Sequence, residues 1–426
     1  MKRSLLTLGI LLLFATEILR VYFIMPFPGS QRSDSIGLAY FIDQNRIWLR
    51  IIGLLLVGVP LYAWWRGSAD RQKRSRQARS GRPDGFLSSH PGFLLARKHS
   101  PWPAIGLSVL ALVYLVIFYF FNFRFEADKM FYQPGTKRFA GAAANKVPLD
   151  RLVIGIVINN EAKAFPIQII GYHHQVRDTI GQTAVMITYC TVCRTGRVYS
   201  PLVQGKAEDF RLVGMDHFNA MFEDATTKSW WQQATGISIA GPLKNQQLVE
   251  IPSAQSTLAA WLRVHPNTEI LQPDPAYTSE YDDLADYDNG TIKGGLEHRD
   301  SAAWKPKSWV VGVRSGKMER AYDWNDLVSH PLIQDSLGAV PILLLLGADS
   351  TDFHAWSRNV RGQSLQFERI PGQSMMKDNN TGSLWNLDGL CESGPLKDQQ
   401  LQPIQCYQEF WHSWSHFHPA TSQYKL

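Results

Sequence analysis

The pattern of apolar and polar positions changes character near residue 124. Before it lie three long apolar runs, Leu5 to Met25, Ile47 to Trp65 and Trp102 to Phe123. At ~1.5 Å per residue, each can cross a ~30 Å hydrocarbon layer as a helix. The third run is uncharged, the first contains Glu17 and Arg20, and the second contains Arg50 near its start. Glu17 and Arg20 are three apart, share a helical face and are expected to pair with each other. Beyond residue 124 the apolar stretches are short and alternate with polar residues, as strands do. Strands are expected at Leu152 to Ile158, Thr183 to Tyr189, Gly196 to Ser200 and Phe210 to Val213. One helix is expected at Ser253 to Val264. Ser253 would cap it, Leu258, Trp261 and Leu262 share a face, and Pro266 stops it. The expected fold is α+β, with three transmembrane helices in residues 1–124 followed by a mainly antiparallel-sheet domain.

The second part of the chain repeats itself. Gly241-Pro242-Leu243 returns as Gly394-Pro395-Leu396 within near-identical octapeptides. Trp261, His265 and Thr268 return as Trp414, His418 and Thr421, and Ser229 and Trp231 return as Ser383 and Trp385. His173, Asp178 and Gly181 match His330, Asp335 and Gly338, all in the same order. This reads as an internal repeat, residues 148–271 and 305–424, joined by an Asp/Tyr/Gly-rich linker at 272–304. Features present in both copies are expected to serve the scaffold. Features present in one copy are better candidates for chemistry.

Charge then fixes an orientation. The chain carries a formal +6, and the segment 66–100 alone holds nine Lys/Arg against two Asp, which leaves the remainder about neutral. A basic surface for nucleic acid is therefore not expected on the main domain. A basic loop between two spans stays cytoplasmic, which puts the N-terminus inside and residues 125–426 outside the membrane. The lipid bilayer is the one partner this implies. Any extracytoplasmic ligand or protein partner stays unnamed.

Cys190 and Cys193 form a C-x-x-C in the first copy only. The repeat aligns them with Gly347 and Ser350. The flanking alternation places the pair on a turn between strands, not at a helix start as in thioredoxin-like sites. Three readings stay open: half of a soft-metal site for zinc or copper, a thiol-redox pair, or a structural disulfide. Further metal ligands could come from His173, His174 or His217, with Met215 and Met221 as soft sulfur for Cu(I). If all four cysteines are oxidised, the simplest pairing is Cys190–Cys193 with Cys391–Cys406. Asp286, Asp288 and Glu297 fit a calcium loop poorly, because Gly290 and Thr291 break its pattern, so a solvated acidic linker is expected there. No hydrolase, nucleotide-binding or zincin motif is present, so enzymatic activity stays undecided. The alternative to chemistry is a non-catalytic domain that binds a ligand or partner, with structural cysteines.

The segments AKAFPIQIIGYHHQVRDTIG, TYCTVCRTG, NAMFED, SWWQ, GISIAGPL and WLRVHPNTEIL resemble domain-of-unknown-function family 3179, found in prokaryotes. The match covers about residues 150 to 271 and extends with the second copy towards 424. The resemblance implies an architecture, including membrane-anchored members, and no established reaction. The family's motif is similar to TYCPLCGT. Here Thr191-Val192 replace its Pro-Leu, and Arg194 replaces its last glycine. A glycine there permits a positive φ that an arginine adopts only with strain. Arg194 could instead act on a thiol through its charge.

Overall fold

The computed structural model describes residues 2–80 and 102–426, and the chain divides between Met130 and Phe131 into two compact units. In the first unit the helices Lys2–Tyr22, Ile36–Ser80 and Trp102–Phe123 are each long and apolar enough to cross a membrane. The second helix does not stop at Trp65 but continues to Ser80, so the start of the basic segment is helix and not loop. The rest of that segment, from residue 81, lies outside the described residues.

The expected Glu17–Arg20 pair does not form. The Glu17 carboxylate accepts Nε and Nη2 of Arg50 at 2.7 and 2.8 Å, with Nδ2 of Asn122 at 2.9 Å and the Tyr114 hydroxyl at 3.2 Å. Arg20 instead donates to Glu126 at 2.8 Å and to the Phe121 carbonyl at 2.6 Å, with Asp43 at 3.5 Å. Both side chains face the other two helices, and a buried charge is tolerable only with partners of this kind. The first two helices touch at Gly9, where a Cβ would fall 2.9 Å from the Gly53 carbonyl oxygen, the small-residue approach typical of packed spans.

The second unit is β-rich. Strands Leu152–Ile158 and Glu161–Pro166 form an antiparallel pair at the centre of a five-stranded sheet. Ala254–Thr257 adds antiparallel on one side, and Glu269–Leu271 adds parallel on the other. A second sheet has the same pairing order. Trp309–Ser315 pairs with Met318–Asp323, Cys406–Phe410 adds antiparallel, and Ser422–Gln423 adds parallel. The hairpin Gln175–Ile180 with Thr183–Cys190 likewise has its counterpart in Leu332–Leu337 with Val340–Leu346. Four-stranded antiparallel sheets follow in each half, ending at Ser238–Ala240 and at Cys391–Ser393.

The expected strands are present, each within a few residues of the expected limits. The expected helix is shorter. Ala254–Thr257 is a strand, because its backbone pairs with Leu152–Gly155, and only Leu258–Val264 is helical. Thr257, not Ser253, caps it, its hydroxyl accepting the Ala260 amide. The segment 272–304 is not a solvated linker: Tyr281 and Tyr287 are buried in the first half's core, and Asp288 accepts the Leu152 amide at 3.0 Å.

The motifs present in both halves have shared structural duties. Nε1 of Trp261 donates to Thr268 at 2.9 Å, and that of Trp414 donates to Thr421 at 2.8 Å. The hydroxyls of Ser229 and Ser383 accept the amides of Leu243 and Leu396 at 3.0 and 3.1 Å, which ties each Gly-Pro-Leu turn down. His265 and His418 end their helices packed on those tryptophans, His265 tilted with centroids 4.2 Å apart and His418 stacked at 3.8 Å.

Candidate thiol site

The C-x-x-C lies on the turn between Thr183–Cys190 and Thr195–Tyr199, where Cys190 faces Thr195 across the ladder. Amide bonds from Cys193 to Cys190 and from Arg194 to Thr191, both 3.3 Å, close the turn. Arg194 holds φ at 54°, the left-handed conformation that glycine would take there without strain. Its guanidinium offsets that strain through bonds to Gln408 at 2.7 Å and to the carbonyls of Tyr287 and Asp288 at 3.2 and 3.0 Å. It also stacks 3.8 Å above Trp309. The cation beside the thiols is a different residue, Lys307.

Both cysteines are free thiols and almost fully buried. Their sulfurs converge on the Phe218 carbonyl, at 3.4 Å from Cys190 and 3.3 Å from Cys193. That carbonyl is aimed by a tight hairpin in which His217 and Phe218 have φ of 49° and 68°. Burial opposes ionisation of Cys190. The hydrogen bond from Cys193, two backbone amides and the Lys307 charge outweigh it and bring the Cys190 thiol below its usual range. Burial pushes Cys193 well up, and the proximity of Cys190 adds to this. Lys307 sits over the turn with Nζ donating to the Val192 carbonyl at 2.6 Å and to the Leu296 carbonyl.

A histidine completes the group. His412 opens the helix Trp411–Phe417, and its Nε2 is 3.9 Å from the Cys193 sulfur. Its Nδ1 faces the Pro306 carbonyl at 2.9 Å, which assigns the proton to Nδ1 and leaves Nε2 as an acceptor. Burial, and then the Lys307 charge, lower its pKa to about 4, so the ring is neutral.

None of the histidines expected beside the sulfurs is brought to them. His173 is held by the Tyr132 carbonyl at 2.5 Å and the Tyr281 hydroxyl at 2.7 Å. His174 turns back onto the Tyr172 carbonyl at 3.0 Å and packs on Phe131. His217 binds Asp216 at 2.7 Å and stacks on His416 at 3.9 Å. Among the described residues, no group of three metal-type ligands includes either cysteine. The Cys391–Cys406 disulfide is absent too. Cys391 points at the Ser393 carbonyl in one sheet, while Cys406 pairs with Val313 in another.

Residues 135–421 match the family described as protein of unknown function DUF3179. The chain belongs to this family. No curated protein and no solved structure matches it. The DUF3179 region therefore contains the whole thiol site, including the two residues that sequence reasoning missed. Lys307 and His412 lie 114 and more than 200 positions beyond Cys193, too far for any local motif. One signal for His412 was available: at the repeat spacing of Trp261 and Trp414, it falls opposite Ala259.

Proposed function

We propose that residues 125–426 lie outside the membrane as a duplicated unit, 148–271 and 305–424. We further propose that the first copy works as a reversible dithiol–disulfide pair. The single observation that carries this reading is geometric: two adjacent free thiols on one turn share the Phe218 carbonyl at 3.4 and 3.3 Å, with the half-buried Lys307 over the turn. The lowered Cys190 thiol is the easier of the two to ionise for the first attack, and the raised Cys193 thiol keeps its proton until the second. The Cys190 thiolate attacks a partner disulfide and expels one thiolate. Cys193 then gives up its proton to the expelled thiolate and attacks the mixed disulfide. The products are Cys190–Cys193 and a second free thiol, and two electrons pass to the partner. Because both sulfurs are buried, the partner must reach them through local opening of the turn.

The repeat reading is supported by contact between residues at equal spacing. Gln255 and Gln408 are related by the same spacing as Trp261 and Trp414, and they bond to each other at 3.2 Å. Such a contact between equivalent positions is what a two-fold arrangement produces.

The test is thiol tagging of the full chain in detergent across glutathione buffers, with Lys307→Met beside the parent. Expected are a two-electron couple assigned to Cys190 and Cys193, and a Cys190 alkylation profile moved to higher pH in Lys307→Met. A pair that never closes and alkylates no faster than Cys391 sinks the reading. Zinc or copper retained on anaerobic purification, with both thiols protected, would replace it with soft-metal binding. Inert thiols without metal would leave ligand or partner binding.

A further inference from the structure

We infer that Asp352, His354 and Asp388 form a second site, one that takes a divalent first-row cation of the zinc or manganese kind. One ligand atom from each of the three lies within 4.8 Å of the others. This inference stands apart from the dithiol reading and shares no residue with it.

The site is built on the turn between Val340–Leu346 and Phe353–Ser357, the place in the second half that the C-x-x-C turn occupies in the first. Asp349 organises that turn. Its carboxylate accepts the amides of Thr351 and Asp352 at 2.9 and 2.8 Å and the Thr257 hydroxyl at 2.7 Å. Asp352 is thereby fixed, and it is only 3% exposed. Its Oδ2 meets Nε2 of His354 at 3.0 Å, while its Oδ1 is buried and has no hydrogen-bond partner among the described residues. A buried carboxylate oxygen without a donor is costly, and a cation relieves that cost. The His354 ring is held in place by stacking on Trp356. Asp388 follows the strand Leu384–Asn386.

Arg263 accounts for the remaining charge. It reaches Asp388 from the helix Leu258–Val264, with Nη2 on Oδ1 at 2.8 Å. Its side chain is half exposed, so it can swing away when a cation arrives. An ion would have a route in. His354 lines a cavity of about 480 Å³ with Trp261 and Cys406, and Asp388 lines a neighbouring one of about 760 Å³ with Arg263. One imidazole with two carboxylates suits zinc or manganese; a calcium site would be all oxygen.

The experiment is titration of Mn2+ onto the full chain in detergent, followed by electron paramagnetic resonance, with Zn2+ as competitor. Mn2+ is chosen because thiols bind it poorly. One bound ion per chain is expected, displaced by Zn2+. Asp352→Asn and His354→Gln should each weaken binding at least ~10-fold. Arg263→Ala should tighten it, an outcome that a purely structural cluster would not give. Cys190→Ser should leave it unchanged, which separates failure here from failure of the thiol reading. No Mn2+ bound at millimolar concentration, together with no Zn2+ bound by Cys190→Ser/Cys193→Ser, overturns the inference. So does unchanged affinity in folded Asp352→Asn and His354→Gln, with thermal unfolding as the check on folding.

Discussion

The hairpin turn that carries Cys190 and Cys193 and the turn from Gly347 to Asp352 sit at the same point of two matching strand series, yet they carry unlike groups. One presents sulfur under a neutral imidazole, and the other presents carboxylates beside an arginine. Each is completed from the opposite half. His412 of the helix Trp411–Phe417 approaches Cys193, while Thr257 and Arg263, at the start and end of the helix Leu258–Val264, reach Asp349 and Asp388. The contacts that set backbone geometry recur in both halves. The side chains that meet across the halves differ. Equal scaffolds with unequal turns make separable predictions, because scaffold changes should cost the two halves alike and turn changes should not.

The largest effect is expected at the two glycines under the repeated tryptophans. A Cβ on Gly155 would stand 2.4 Å from the Trp261 ring, and one on Gly312 would stand 2.2 Å from the Trp414 ring. Neither ring can move away, because each indole is tied to its threonine. Gly155→Ala and Gly312→Ala should each destabilise the outer domain by about 3 kcal/mol. Denaturant unfolding reads this directly. A large loss in one and none in the other would break the equivalence of the halves.

A smaller matched pair lies at Asp224 and Asp378. The Asp224 carboxylate accepts Nε1 of Trp231 at 2.9 Å and the amides of Thr227 and Ser229 at 2.5 and 3.1 Å. Asp378 accepts Nε1 of Trp385 at 2.9 Å and the amide of Thr381 at 2.6 Å. Removing either acceptor strands buried donors, at about 2 kcal/mol per site. Asp224→Ala should cost somewhat more than Asp378→Ala, since one further amide depends on it. The reverse order in thermal unfolding would mean that the second half relies on its carboxylate in another way.

How much of this was legible in the sequence follows from distance along the chain. Strand alternation and the apolar runs are local, and they placed the strands and the three long helices. The repeated motifs were legible as scaffold because each is a short local contact, such as Trp261 with Thr268. The helix start was misplaced because Ala254–Thr257 is captured by Leu152–Gly155, about a hundred residues earlier, and pairing overrides local propensity. Glu17 was matched to Arg20 because only neighbours are visible along a chain, whereas Arg50 and Asn122 come from other helices. The thiols themselves were legible. Their surroundings were not, because Lys307 and His412 lie more than a hundred positions away and reach them only through tertiary contacts.

The smallest effect separates the two helix-end histidines. Burial lowers the pKa of both His265 and His418, and Arg197 and Arg314 lower His418 further. Both rings are therefore neutral in the fold and take up a proton more readily once unfolded. Their contribution is fully present above the unfolded pKa, near 6.5, and is lost as pH falls below it. His418 is 3% exposed and meets Glu319 through Nδ1 at 2.8 Å, whereas His265 is only half-buried on Trp261. Burial also holds the Glu319 carboxyl above its usual range, so a neutral N–H donor suits this contact. The slope of stability between pH 6.5 and 5 should therefore flatten in His418→Gln, by about 1 kcal/mol over the interval. His265→Gln should change it much less. Equal flattening in both would show that packing against the tryptophan sets the acid sensitivity, and that the charges around His418 do not.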